Sequence, residues 1–132
     1  MDKIVLGRTG IESSVLSLGT VELGLNYGIE KSKPTREESI TILNKAIDSG
    51  INLFDTASSY GDSETILGEV LRNHDDLVIA TKFNVPTNSN GNYKSGKELY
   101  KEIFFSIENS LINLQTPCLE ILQIHNATSE LI

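Results

Sequence analysis

The sequence predicts an α/β chain built on a parallel sheet, and three observations carry that reading. Short apolar runs of strand character alternate with helical patterns along most of the chain. Capping residues and glycines stand where the helices should start and stop. Three of the apolar runs end in an ionisable residue, namely Asp55, Lys82 and His125. A strand, a covering helix and a second strand in repeated order leave little choice but parallel pairing.

Taken in order, residues 1–14 come first, with Ile4 and Leu6 alternating and Gly7 and Gly10 suited to a turn. A short leader hairpin is expected there. Residues 15–20 (VLSLGT) form the first strand of the main sheet, followed by a loop through Gly24, Asn26, Gly28 and Pro34. Thr35-x-x-Glu38 then reads as a capping box, each side chain satisfying a free backbone N–H. Ile40, Leu43, Ala46 and Ile47 make one stripe on the helix it opens, and Gly50 suits its C-terminal cap. INLFD (51–55) is the next strand, and a turn through Gly61-Asp62 leads to a helix whose apolar face is Ile66, Leu67, Val70 and Leu71. LVIATKF (77–83), rich in β-branched residues, is the clearest strand. After a polar loop (84–94), Ser95-x-x-Glu98 gives a second capping box. The long helix beyond it carries Leu99, Ile103, Ile107, Leu111 and Leu114. LEILQI (119–124) is the last strand.

Composition narrows the function classes. With 39% apolar and 22% charged residues, the chain is of ordinary globular type. Its net charge of −7 gives no overall basic footprint for nucleic acid or anionic lipid. No apolar run is long enough to span a membrane, and MDKIVLGRTG lacks the apolar core of a secretory signal. A single cysteine, Cys118, cannot form an internal disulfide and is expected to be a small packed residue. The cytoplasm is the expected compartment.

Parallel strands all point one way, so Asp55, Lys82 and His125 should gather on one rim of the sheet. Alternation adds that Leu53 and Asp55 share a face, as do Val78, Ala80 and Lys82, and Ile121, Gln123 and His125. Each residue alone has an ordinary explanation as a turn residue, a snorkelling lysine or a satisfied histidine. Together they suggest a site, because a Lys82–Asp55 pair would satisfy two otherwise costly charges. The C-terminal rim of a parallel sheet is where barrel and open-sheet enzymes place their chemistry. Tyr60 leaves the same strand end as Asp55, and a tyrosine close to a lysine is suited to donate a proton.

Here the motifs resemble a known family. DTASSYG (55–61), SETILG (63–68), TKFN (81–84) and LQIHN (122–126) are similar, in order and position, to the aldo-keto reductases. LGRTGIESSVLSLGT (6–20) and AIDSGINLFDTA (46–57) extend the resemblance over nearly the whole chain. GTVELGLNYGI (19–29) is similar to a bacterial subgroup met near surface-polysaccharide genes. The resemblance implies a (β/α)₈ TIM-type barrel that reduces carbonyls with a nicotinamide cofactor, usually NADPH, with NAD not excluded. It places a catalytic tetrad on Asp55, Tyr60, Lys82 and His125. Tyr60 would give the proton to the carbonyl oxygen, Lys82 paired with Asp55 would ease its release, and His125 would orient the substrate carbonyl. Cofactor contacts would fall on Gly19, Thr20 and Asp55. The implied substrate is a small carbonyl compound, with sugars and their derivatives among the candidates.

Other signals carry no function. Gly91-x-x-x-x-Gly96-Lys97-Glu98 lacks the Ser or Thr that a P-loop needs for Mg²⁺. No GxGxxG follows a strand. His74 and His125 have no partners at metal-ligand spacing, so no metal is expected. Asn126-Ala127-Thr128 fits a glycosylation sequon that would be idle in the cytoplasm.

Length sets the remaining expectation. A complete barrel takes about 250 residues, whereas 132 residues supply four of its eight strands. The chain is therefore expected to be the N-terminal half of a reductase, one domain over residues 1–132 with β/α units one to four over 15–132. No helix is expected to cover its last strand, and the loops that grip the cofactor's phosphates are expected in the other half. The alternative expectation is a non-catalytic half-barrel, an interaction or regulatory module that associates with itself through its uncovered sheet edges.

Overall fold

The structure is a computed structural model and describes residues 1–29 and 32–129. Strand β1 (Lys3–Val5) pairs antiparallel with β2 (Glu12–Ser14), forming a small hairpin. The main sheet holds β3 (Ser17–Gly19), β4 (Leu53–Asp55), β5 (Val78–Phe83) and β6 (Ile121–Ile124), all parallel and in chain order. Between them run α1 (Val21–Gly24), α2 (Arg36–Asp48), α3 (Ser63–Leu71) and α4 (Gly96–Asn113).

Helix α2 forms as its sequence dictates. Thr35 accepts a hydrogen bond from the Glu38 N–H, and the Glu38 carboxylate accepts one from the Thr35 N–H at 2.8 Å. Gly50 follows the helix end at φ +87°, the left-handed conformation that glycine adopts without strain. The strand then begins at Leu53, later than INLFD suggested, because Asn52 is buried and used differently. Its Oδ1 accepts from the Ser14 N–H at 2.6 Å, and its Nδ2 donates to the Glu12 carbonyl at 3.0 Å. This one amide fastens the hairpin to the sheet.

The core lies between one face of the sheet and the helices. Phe54 and Ile79 pair in register and pack with Leu43 and Ala46 of α2, with Ile66, Leu67, Val70 and Leu71 of α3, and with Leu114. That face also buries the Glu64 carboxylate, which accepts from the Thr81 hydroxyl at 2.7 Å and the Asn113 amide at 3.3 Å. Gly68 is where α3 meets the end of α4, since a Cβ there would run into the Asn113 carbonyl.

Four expectations are corrected. The loop after β3 contains a helical turn, α1, stabilised where Leu25 N–H returns to the Val21 carbonyl. The second capping box does not form, because Ser95 caps nothing with its side chain and Glu98 is drawn to Lys94 Nζ at 2.9 Å. Gly96, at φ +61°, turns the chain sharply at this helix start. The long apolar stripe is only half-buried at Leu99, Ile103, Ile107 and Leu111, and Leu114 packs from beyond the helix end. Cys118 is exposed rather than packed, and the Glu120 carboxylate beside it, 3.5 Å away, pushes its thiol up from the ordinary range.

Candidate active site

Parallel pairing brings the rim residues together through register. Asp55 lies opposite Gly19 on one side and Ala80 on the other, and Lys82 lies opposite Gln123 on the same face, two positions further along. His125 follows β6, its N–H bound to the Phe83 carbonyl at 2.9 Å. The face opposite to Phe54 and Ile79 therefore carries the ionisable side chains.

Lys82 is the centre of the group. Its Nζ donates to Asp55 Oδ2 at 2.7 Å and to the Thr56 carbonyl at 2.8 Å, and its side chain is 16% exposed. The same Nζ lies 5.1 Å from the centre of the Tyr60 ring. Tyr60 Oη is 3.4 Å from His125 Nε2, and the two rings meet edge to face with centres 5.4 Å apart. All four residues named from the sequence thus sit together.

Tyr60 is held by the crossing of two loops. A Cβ on Gly24 would run into the Tyr60 carbonyl, and one on Gly61 would meet the Gly24 carbonyl. Gly61 also has φ +56°. Only glycine at both places lets α1 press against the loop from β4 to α3. Nothing in local periodicity announces this contact, although both glycines are visible in the sequence.

Gly19 is exposed at the rim, with open space where a Cβ would stand. Thr20 is placed differently. Its side chain is fully buried, its hydroxyl donates to the Asp55 carbonyl at 3.0 Å, and the Ser63 hydroxyl lies 2.7 Å from it. Thr56 extends the chain to Ser63 at 3.0 Å. These hydroxyls brace the strand ends from below, and the Thr20 side chain presents nothing to the rim.

One further side chain, Ser59, touches the site without a sequence signal strong enough to find it, and Asn126 braces the loop next to it. Ser59 Oγ is 3.1 Å from His125 Nδ1. Asn126 spreads its amide along Val85, accepting from the N–H at 2.7 Å and donating to the carbonyl at 3.0 Å. That amide therefore fastens the loop after β6 to the loop after β5. A separate cavity of about 720 Å³, lined by Leu18, Gly19, Glu22, Lys33, Glu37 and Ile42, lies beside β3 and includes none of Asp55, Tyr60, Lys82 and His125.

Comparison with known proteins decides the relationship. Residues 15–131 match the sequence model of the Aldo/keto reductase family. The chain belongs to that family. It is 35% identical to the uncharacterised oxidoreductase YrpG of Bacillus subtilis over 139 aligned positions, covering 96% of this chain and 40% of that protein. It is 32% identical to the aldo-keto reductase YhdN of the same organism, covering 95% of this chain and 38% of the relative. Among solved structures, the aldo-keto reductase AKR11C1 of Bacillus halodurans superposes with a TM-score of 0.76 at 26% identity, over 98% of this chain and 42% of that one. The chain spans about 40% of the length of the curated relatives it matches. Its sheet and helices are accordingly a partial (β/α) barrel, the family is one of oxidoreductases, and no described helix is long and apolar enough to cross a membrane.

Proposed function

We propose that this chain carries the proton-transfer half of an NADPH-dependent carbonyl reductase site, with Tyr60 as the proton donor. The observation that carries the reading is the contact series Asp55–Lys82–Tyr60–His125 on one rim, with Lys82 Nζ at 2.7 Å from Asp55 and 5.1 Å from the Tyr60 ring centre. A cation held beside a phenol favours the charge that the phenol acquires as its proton leaves. Asp55 holds the Lys82 ammonium in place at 2.7 Å, and His125 offers a ring nitrogen to orient a carbonyl oxygen next to Tyr60.

The rim suits the nicotinamide end of such a cofactor. Gly19 leaves open space there, and Asp55 keeps a partly exposed carboxylate edge. When bound, the cofactor supplies hydride to the carbonyl carbon, while Tyr60 gives its proton to the oxygen, so one carbonyl becomes one alcohol. The phosphate end is a poorer fit. Lys33 is engaged with Asp62, and Arg36 with Glu69. We therefore assign the phosphate grip, and the choice between NADP and NAD, to a C-terminal half that completes the barrel, and read this chain as its N-terminal counterpart in the cytoplasm. L-galactose dehydrogenase of Arabidopsis thaliana is 32% identical over 92% of this chain, which supports small sugars or sugar derivatives as carbonyl substrates.

Two measurements test the reading. NADPH fluorescence titrated with the 132-residue chain should show weak binding or none, and tight saturable binding would refute the assignment of the phosphate grip. In a chimera completed with a relative's C-terminal half, Tyr60→Phe should lower carbonyl reduction by about 10²–10⁴-fold. Unchanged turnover would remove Tyr60 from its role.

A second reading rests on a different observation. Phe104 and Phe105 on α4 are 61% and 65% exposed, and β3 and β6 are unpaired at the sheet's edges among the described residues. Such surfaces suit a non-catalytic module that pairs with its own copy. Size-exclusion chromatography separates the readings: a discrete dimer without NADPH binding favours the module, whereas a monomer or aggregates disfavour it.

A further inference from the structure

The Tyr60–His125 contact raises a question of proton placement. A neutral imidazole carries its proton on one nitrogen only, and the bond made by the other nitrogen selects which. If His125 Nε2 were bare, it would accept the Tyr60 phenol proton across their 3.4 Å contact. The proton that Tyr60 must offer to a carbonyl would then be tied down. If Nε2 carries the hydrogen, the phenol oxygen accepts instead, and its own proton stays free for substrate.

On the opposite side of the ring, Ser59 Oγ lies 3.1 Å from Nδ1. A serine hydroxyl can donate or accept, and no other bond among the described residues engages the Ser59 hydroxyl. Ser58, its neighbour, is different, since its hydroxyl donates to the Lys82 carbonyl at 3.1 Å. Ser59 is therefore the side chain able to complement Nδ1. We propose that Ser59 is a positioning residue that donates to Nδ1 of His125 and so holds the imidazole in the Nε2–H tautomer. The inference deepens the reading of Tyr60 as proton donor and rests on it.

The arrangement gives His125 a defined polarity. Ser59 feeds a hydrogen bond into one edge of the ring, and the other edge presents a donor to whatever oxygen stands beside Tyr60. That donor is able to serve the phenol before substrate arrives and a carbonyl oxygen afterwards. His125 is exposed, and its N–H to the Phe83 carbonyl fixes its backbone rather than its ring. The edge-to-face packing on Tyr60 orients the plane of the ring but does not choose between its nitrogens. Ser59 supplies that choice.

The test reads the proton directly and needs no turnover. The chain has two histidines, so a His74→Gln background leaves His125 as the sole imidazole in a long-range ¹H–¹⁵N spectrum. The spectrum is taken at a pH where the ring is neutral. We expect Nε2–H to predominate with Ser59 present. Ser59→Ala should raise the ratio of Nδ1–H to Nε2–H by roughly 2- to 10-fold, the range one ordinary hydrogen bond supports. Ser59→Thr, which keeps the hydroxyl at an exposed position, should restore the original ratio. Equal ratios in the Ser and Ala proteins would overturn the proposal. So would a predominant Nδ1–H form that weakens in Ser59→Ala, because Ser59 would then be the acceptor. An equal shift in Ser59→Ala and Ser59→Thr would overturn it too, by tracing the change to packing. Loss of carbonyl reduction in Tyr60→Phe is a separate measurement, so failure of the tautomer assignment and failure of the reductase reading are distinguishable.

Discussion

Helices α3 and α4 are both amphipathic crossovers, yet the fold treats them very differently. Seven residues of the nine-residue α3 are buried, including the polar Ser63 and Glu64. In the eighteen residues of α4, Ser110 alone is buried. The difference lies in neighbours rather than in patterning. α3 lies against α2 and α4 and presses on Phe54 and Ile79, so its face is enclosed from several sides. α4 meets α3 and β5, and the described residues provide no element beyond β6 to enclose its other flank. Leu122, which alternation places on the helix side of β6, is correspondingly 41% exposed. An apolar stripe states what a helix is able to bury, and the surrounding elements decide how much of it is buried.

That contrast can be broken most severely at Leu67, which is fully buried in α3. Leu67→Ala should cost about 2–5 kcal/mol in urea unfolding, the range for deleting a buried leucine side chain. A cost near zero would mean that the α3 side is no better packed than the α4 side. Next comes Gly68→Ala, where the new methyl meets the backbone at Asn113 and Leu114. Overpacking there should cost about 1–3 kcal/mol, whereas Ala in an open helix position would be neutral or better. A stabilised Gly68→Ala protein would show that α4 yields freely and is barely docked.

The helix starts sharpen the same comparison. Thr35→Ala removes a formed cap and should cost about 1 kcal/mol, while Ser95→Ala should cost a few tenths at most, since Ser95 makes no side-chain cap bond. The Thr35 effect should also depend on pH. Its bonds hold the Glu38 carboxyl below the ordinary glutamate range, first through the Thr35 N–H and then through its hydroxyl. A depressed carboxyl stabilises the fold above its unfolded value and loses that contribution as pH falls through the folded one. Thr35→Ala keeps the N–H and loses only the hydroxyl's smaller share, so its cost should shrink slightly in acid, and thermal melts across that range would show it. Similarly small is Phe104→Ser on the exposed flank of α4, expected to change stability by no more than about 0.5 kcal/mol. A larger loss, with a change in apparent mass by light scattering, would reveal that this flank is covered by a second molecule.

Much of this was legible in the sequence because parallel pairing is governed by alternation. Asp55, Lys82 and His125 are strand-end residues, and a strand-end residue in a parallel sheet has few places to go. Thr35 and Glu38 were equally legible, as their capping bonds reach only across one turn. Ser95 and Glu98 carry the same spacing, but Lys94 competes for the carboxylate and Gly96 turns the chain. Local spacing cannot register a competitor of that kind. Gly24 and Gly61 matter through a contact between loops far apart in the chain, and Ser59 through a ring that arrives from beyond β6. Cys118 failed for a related reason: an apolar neighbourhood in sequence became an exposed turn in space.

The Asn126 fastening to Val85 bears on how such a protein can be cut and recombined. Asp55, Tyr60, Lys82 and His125 touch one another within a single stretch of chain, and the amide of Asn126 ties the far end of that stretch back to the loop after β5. A crossover placed after Asn126 transfers the four side chains as an intact cassette. One placed between Phe83 and His125 separates the imidazole from the phenol it faces. The natural seam of this fold, for exchange between relatives, therefore lies just past that asparagine.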